Sequence, residues 1–419
     1  MSNAYITAQQ AAKKWGISDR RVRILCGEGK ISGAFKDGKS YKIPSDASKP
    51  ADGREKKAWE RHAVRFLKWE NEVIGTIDSS NAVQFVIPQF NEVVALYTRR
   101  ARAWTPEQFA EFLSERVVSR DRRDIERILF RCGLSHYDVL RIAEITRGIH
   151  PKDLLWVANT EDEQLEDVIT DVFDSVFHQK IDLTGDSIDT PEGYNVKRYG
   201  AYNGQYGIFK QRINPLTTDV ESEVAVYLLA KKLGVPCCPA YRVDKDTVFS
   251  AFLYDFSKDY LVHFRRLFDG VRSDNEYQNL IVVRPQYKDD IARMILLDFI
   301  TRQDDRHLSN IAIKMSGQKE SFYPLYDNGR SLFYEDTEEM VARAVADPIT
   351  YATTFGYTGT YWDYVQEIAA ERGSLNGLLD LSLSETEVAA ILKESGFTGY
   401  RLDGALAWVM KAITMLVNL

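Results

Sequence analysis

Cysteine is scarce. Four residues in 419, two of them adjacent at Cys237 and Cys238, form neither a disulfide framework nor a metal-ligand spacing, so a reducing compartment fits. Histidine is scarce too: six residues with no Cys/His cluster argue against a zinc site. Long apolar runs are missing, and the best of them, Ala407–Val417, is too short and too interrupted to span a bilayer. No basic-then-apolar signal segment opens the chain, which makes a cytoplasmic location the expectation. No Gly-x-Ser-x-Gly elbow occurs either, which sets a Ser/His/Asp hydrolase aside.

What is present is an ordinary globular composition, 44% hydrophobic and 27% charged, in a chain long enough for two or three cores. The charge is unevenly spread. The chain carries a net −7, yet residues 1–70 hold 16 Lys and Arg against 8 Asp and Glu. A basic head on an acidic body points to a nucleic-acid partner for the head alone; a solvated surface is the plainer alternative.

Within that head, Ala8, Ala11, Ala12 and Trp15 fall on one helical face behind Thr7 as N-cap. Gly16-Ile17-Ser18 turns the chain. A second helix, Asp19–Glu28, then presents Val22, Leu25 and Cys26 inward and Arg20, Arg21 and Arg23 outward. Ile31–Ile43 reads as a β-ribbon around Asp37-Gly38, decorated by Lys36, Lys39 and Lys42. These parts describe a winged helix-turn-helix over residues 1–53, with the second helix placed for the major groove and the lysines for phosphates. A helix-turn-helix that docks protein is the competing use. The run Ile-Thr-Ala-Gln-Gln-Ala-Ala-Lys-Lys-Trp-Gly-Ile-Ser-Asp-Arg-Arg-Val resembles the small MerR- and excisionase-type domains of bacteria.

Residues 54–174 read as a helical connector, opened by a polar helix over Arg54–Glu72 and continued by helical periodicity over Phe109–Gly148. Nothing there has catalytic spacing. A homodimer contact or an inhibitory surface are its candidate uses.

The chemistry concentrates between residues 305 and 327. Asp305 is followed five positions on by Asn310, and Asp327 follows Phe-Tyr-Pro-Leu-Tyr, each beside an apolar, strand-like run. Phosphoryl transfer from ATP needs one carboxylate to orient the attacking hydroxyl, and an amide oxygen with a second carboxylate to hold Mg²⁺. Upstream, Tyr206–Arg212 reads as a strand that carries Lys210 after the Asn203-Gly204 hairpin signal. Glu223 opens a helix and is placed to orient that lysine on the ATP phosphates. The loop Thr184–Gly193, holding Ser187 and Thr190, would cover the phosphates, although it lacks Gly-x-Gly-x-x-Gly. Val248–Phe256, with Tyr254, has the character of a strand entering an adenine-stacking hinge; a core strand reads the same way.

By these residues the chain resembles the HipA-like serine/threonine kinases of bacterial toxin–antitoxin systems, over about residues 175–419. The resemblance rests on Phe209-Lys210, Glu221-Ser222-Glu223, Asp305-x-His307-x-x-Asn310 and Leu325-Tyr326-Asp327. It implies an α+β, two-lobed protein-kinase-like fold, with an N-lobe over 175–257 and a mostly helical C-lobe over 258–419. It also implies Asp305 as catalytic base, Asn310 and Asp327 as Mg²⁺ ligands, Lys210 as the ATP lysine, a protein Ser or Thr as acceptor, and Ser187 or Thr190 as an autophosphorylation site. Ser309 stands where family members commonly carry a basic residue, so His307, Arg306 and Arg302 become candidates for γ-phosphate stabilisation. Asp-Arg-His-Leu-Ser-Asn-Ile also looks like the catalytic loop of phosphoinositide kinases, which keeps a lipid or small-molecule acceptor open. A nuclease built on Asp304, Asp305 and Asp327 would leave Asn310, Lys210 and Glu223 without a task. A catalytically weak, nucleotide-sensing transcription regulator is the non-enzymatic alternative.

Overall fold

The computed structural model describes residues 5–15, 18–27, 29–38, 40–47, 49, 64–120, 125–131, 133–169, 172, 197–255, 257–268, 273–356 and 358–419. Ser187, Thr190 and Lys39, and with them the loop Thr184–Gly193, fall outside them. No helix among the described residues is long and apolar enough to cross a membrane. The architecture is α+β.

At the head, α1 (Ala8–Trp15) and α2 (Asp19–Gly27) pack on a three-stranded antiparallel sheet in which β1 (Tyr5–Thr7) and β2 (Phe35–Asp37) flank β3 (Ser40–Pro44). Ala8, Ala11, Ala12, Val22, Leu25, Cys26, Ile31 and Ile43 form its core, so the helical periodicity and the β-ribbon read from the sequence both appear.

The expected helical connector is instead built on a sheet. β4 (Val64–Trp69) and β5 (Glu72–Asp78) form an antiparallel hairpin over the described end of the polar helix expected at Arg54–Glu72, whose residues 54–63 lie outside the described residues. With β6 (Val83–Phe85), β7 (Ala103–Trp104) and β8 (Leu155–Ala158) they make a five-stranded sheet in the order β7-β6-β5-β4-β8. The sequence misleads because β4 buries two cations. Lys68 donates to the carbonyls of Glu161 and Glu163 at 3.0 and 2.7 Å, and Arg65 donates to Asp78 O and Asn81 Oδ1 at 3.1 and 2.6 Å. A charged residue satisfied by carbonyls breaks the two-residue alternation that marks a strand. The helical part of the expectation survives in α3 (Glu92–Thr98), α4 (Pro106–Ser114), α5 (Ile125–Arg131) and α6 (Val139–Thr146).

A second antiparallel sheet, in the order β11-β12-β10-β9, is made by β9 (Lys197–Tyr202), β10 (Gln205–Gln211), β11 (Ala240–Arg242) and β12 (Thr247–Ala251). Asn203 and Gly204 turn β9 into β10 with φ of 50° and 75°, the left-handed pair a two-residue hairpin demands. Helix α7 (Asp219–Leu233) packs Val220 and Val224 on Ala240 and Val248. It starts one turn earlier than the sequence suggested, so Glu223 lies inside it rather than at its opening. The expected strand Val248–Phe256 ends at Ala251.

The remainder is mostly helical and shares one large core, from Ala225 and Leu229 of α7 to Trp408 and Ile413 of the terminal helix Gly399–Val417. Its centre is α8 (Lys288–Ile300), whose Met294–Ile300 are all buried. This corrects the strand-like reading of Ile-Leu-Leu-Asp-Phe-Ile: an apolar run buried on every side shows no period. β13 (Asp259–His263), β14 (Ala312–Ser316) and β15 (Lys319–Phe322) add a small antiparallel sheet at the edge of this body. The middle unit is anchored on both neighbours, because Tyr199, Ile208 and Val262 belong to its apolar core.

Candidate active site

A cavity of about 1020 Å³ opens between the second sheet, the helical body and the middle unit, with Lys210, Glu223, Asp305, Asn310, Asp327 and Tyr254 in its wall. One segment supplies the floor. After α8 the chain passes through Gln303, whose Oε1 accepts from the backbone N–H groups of both Asp304 and Asp305 at 2.9 Å. His307 N–H donates to Asp305 O at 3.0 Å, and the turn closes on Asn310, whose side-chain Nδ2 donates to Asp305 O at 3.0 Å. With Nδ2 so used, the Oδ1 of Asn310 remains as its acceptor. The hairpin β14–β15 then carries the chain out and back, and Tyr326 Oη donates to Ser309 O at 2.8 Å just before Asp327. Asp327 has φ of 57°, a left-handed backbone uncommon for a residue with a side chain.

The sheet supplies the facing wall. Lys210 on β10 makes an ion pair with Glu223 of α7 and donates to Asp327 Oδ1 at 2.9 Å; Lys197 on β9 reaches Asp327 Oδ2 at 3.4 Å. Glu223 is 2% exposed, so the lysine's partner is fixed by packing. Burial works against the Lys210 ammonium, but Asp327 and Glu223 outweigh it and raise its pKa. For Asp327, burial would raise the pKa; the Lys197 and Lys210 ammonium groups overturn this and hold the carboxyl well below the usual carboxylate range. Asp305 goes the other way. Burial pushes its carboxyl up, Arg330 pulls it down in part, and the nearby Asp327 charge adds to the rise. Two carboxylates in one cavity, one held ionised and one raised, form the division that acid–base chemistry uses.

The residues named from sequence therefore divide. Asp305, Asn310, Asp327, Lys210 and Glu223 come together. His307 is exposed, lines the cavity and accepts from Ser309 N–H at 3.2 Å through Nδ1, so it caps the turn. Tyr254 is buried in the cavity wall, packed edge-on against Tyr323 at 5.6 Å between ring centres. Arg306 and Arg302 do not reach the cavity. Arg306 has a fully buried side chain and is held by Asp298 at 3.0 Å on two atoms, Tyr326 O at 2.6 Å and Asn328 Oδ1 at 2.6 Å. Arg302 pairs with Asp336 at 2.8 Å and stacks 4.7 Å above Phe333. Both are structural. Lys197 and Arg330 were not singled out from sequence, although both line the cavity. Lys197 stands opposite Lys210 in the hairpin, and extending that hairpin back from Asn203-Gly204 would have found it.

In the head, Arg20 and Lys36 are exposed, Arg23 is tied to Asp19 at 2.7 Å, and Lys42 lies 3.9 Å from Asp37. The side chain of Arg21 lies outside the description.

Among the described residues no group of three or more His, Cys, Asp and Glu side chains has the arrangement of a metal cage. Asp327 and the Oδ1 of Asn310 are oxygen donors on the cavity wall, the donor type that Mg²⁺ takes together with phosphates and water.

No protein-family model matches the chain, and no curated protein matches it. Among solved structures the chain is similar to the Helicobacter pylori proinflammatory kinase CtkA, at 13% identity and a TM-score of 0.41, covering 53% of this chain and 91% of that one. It is also similar to the HipA toxin of Shewanella oneidensis, solved with HipB and operator DNA, at 15% identity and a TM-score of 0.47, covering 85% of this chain and 98% of that one.

Proposed function

We propose that this protein is an ATP-dependent phosphotransferase of the HipA-like serine/threonine kinase type. The observation that carries the proposal is the meeting of Lys210 and Glu223, from the sheet side, with Asp327 on the wall that also holds Asp305 and Asn310. An ammonium held by a buried glutamate suits the α- and β-phosphates of ATP, and Lys197 adds a second positive charge beside it. Asp327 and Asn310 would hold Mg²⁺, which supplies charge neutralisation on the phosphates. Asp305 is the group left to orient the acceptor hydroxyl. In the transfer the acceptor O–H proton passes to the Asp305 carboxylate and an oxygen–phosphorus bond forms. The bond between the γ-phosphorus and the β,γ-bridging oxygen breaks, and its electron pair leaves with ADP. The raised pKa of Asp305 suits a group that ends the step protonated. A protein Ser or Thr is the proposed acceptor. The roles of Ser187 and Thr190 as phosphate-covering or modified residues, of His307 in transition-state stabilisation and of Tyr254 beside the adenine belong to the same reading.

The head extends it. Two helices on a small sheet, with Arg20 and Lys36 exposed, support binding of duplex DNA through phosphates, which would bring the kinase to DNA for autoregulation of a toxin-type growth regulator. Transfer of γ-phosphate from Mg-ATP by the purified chain, lost on Asp305→Ala, tests the enzymatic reading. A nucleotide-sensing regulator would bind ATP and show no difference in turnover between the two.

A further inference from the structure

The phosphotransfer reading names no cation beside Asp305 for the transferred group. Lys197 and Lys210 both lean on Asp327, on the nucleotide side. Arg306 is sealed in its buried pair, and Arg302 is held by Asp336 and two aromatic rings. Yet a transferred phosphoryl group spreads negative charge over oxygens that face the base as well as the metal.

Arg330 is the cation placed there. Its Nε lies 3.8 Å from Asp305 Oδ2, too far for a firm hydrogen bond, and its side chain is 46% exposed at the cavity wall. The guanidinium carbon sits 5.6 Å from the Tyr334 ring centre, within cation–π range. Its backbone is tied to the catalytic segment, because Asp304 N–H donates to Arg330 O at 3.1 Å. The position of Arg330 is thus linked to that of Asp305, while its head group is loosely held and carries more N–H donors than Asp305 engages.

Building on the phosphotransfer reading, we propose that Arg330 is a further catalytic residue, whose guanidinium moves from Asp305 onto the transferred phosphoryl group as the acceptor is engaged. In the resting site it covers the base; in the transfer it releases the base and stabilises the charge on the equatorial oxygens. An arginine suits both tasks, since its planar fork matches carboxylate and phosphate alike. The groups facing Asp305 are Arg330, Asp327, His307 and Lys197, with Asp304 beside it in the chain. Of these, Arg330 is the cation closest to the base on the acceptor side.

The test compares the full chain with Arg330→Ala and Arg330→Lys, using Mg-ATP turnover with water as acceptor and phosphate incorporation into the chain itself. Asp305→Ala serves as control. Arg330→Ala is expected to lower kcat by about 10²-fold with little change in KM for ATP, and Arg330→Lys to recover part of the loss. A folding defect would impair nucleotide binding as well, whereas titration of Arg330→Ala with Mg-ADP, which lacks the transferred group, should give wild-type affinity. Wild-type kcat in Arg330→Ala, with Asp305→Ala inactive, would overturn the role of Arg330 and leave the phosphotransfer reading standing. Equal turnover in wild type and Asp305→Ala would overturn both.

Discussion

Lys197 and Lys210 are direct cross-strand partners in the β9–β10 hairpin, and both ammonium groups converge on Asp327, at 3.4 and 2.9 Å. Like charges opposite one another weaken a sheet unless an anion sits between them. Here the resting anion is a carboxylate from the far wall of the cavity, and phosphates are the anions that would replace it.

The two lysines are not equivalent, because Lys210 alone is also held by the buried Glu223. Lys210→Ala should reduce Mg-ATP turnover by about 10²–10³-fold, and Lys197→Ala by a smaller factor. Initial rates at saturating nucleotide decide the order. A reversed ranking would mean that Glu223 orients nothing of consequence.

Glu223→Gln should leave Lys210 free to lie wholly on Asp327. The expected result is a higher Mg²⁺ concentration for half-maximal turnover together with a lower maximum, since the metal must then displace a tighter ion pair. A Mg²⁺ titration of the variant against wild type reads both. Unchanged half-saturation would argue against competition between Lys210 and the metal for Asp327.

The two site carboxylates predict opposite pH behaviour. Asp327 has a depressed folded-state pKa, so the stability it contributes is complete above the unfolded value of about 3.9 and is lost as pH falls through the folded value. Asp327→Asn should therefore lower the urea midpoint at pH 7, and the gap to wild type should close in acid. Asp305 has a raised pKa, and as the proposed base it would act in its carboxylate form. The acid limb of the rate profile should accordingly lie above the ordinary Asp range of about 4. A limb at or below that range would deny Asp305 the role of base.

Arg306 and Asp298 form a buried pair with 0% and 1% side-chain exposure, and Tyr361 Oη also donates to Asp298 at 3.3 Å. Arg306→Ala leaves a buried carboxylate without its cation and should cost about 3–5 kcal/mol in chemical denaturation. Replacing both partners by apolar residues of similar volume should recover much of that stability. It should not recover turnover, because Arg306 also holds Tyr326 O and Asn328 beside Asp327. Full activity in the double variant would show that Arg306 positions nothing.

Changing Arg20, Arg21 and Arg23 together to Ala should weaken retention on duplex DNA and flatten its dependence on salt, since fewer counterions are released. The Arg23–Asp19 pair makes Arg23 less available for phosphate than the exposed Arg20. Retention that is indifferent to the triple change would assign the head to protein docking.

Much of the site was readable because its elements are short-range. Asp305 and Asn310 lie in one turn, and the following hairpin returns the chain to Asp327. Lys210 was readable from the Asn-Gly turn ahead of it. Lys197 and Arg330 were not singled out, since their importance lies in what they meet: Lys197 reaches Asp327 from 130 positions away, and Arg330 turns back on Asp305. The same blindness produced the error in the middle unit, where carbonyl-bound Lys68 and Arg65 gave a buried strand the look of a polar helix. It also hid α8, whose uniform burial erased its period.

The most direct test is transfer of labelled γ-phosphate from Mg-ATP by the purified chain, with Asp305→Ala and Asp327→Asn run beside it. The account predicts measurable transfer in the wild type, abolished in both variants while each still melts cooperatively. Transfer that persists in either variant would contradict it.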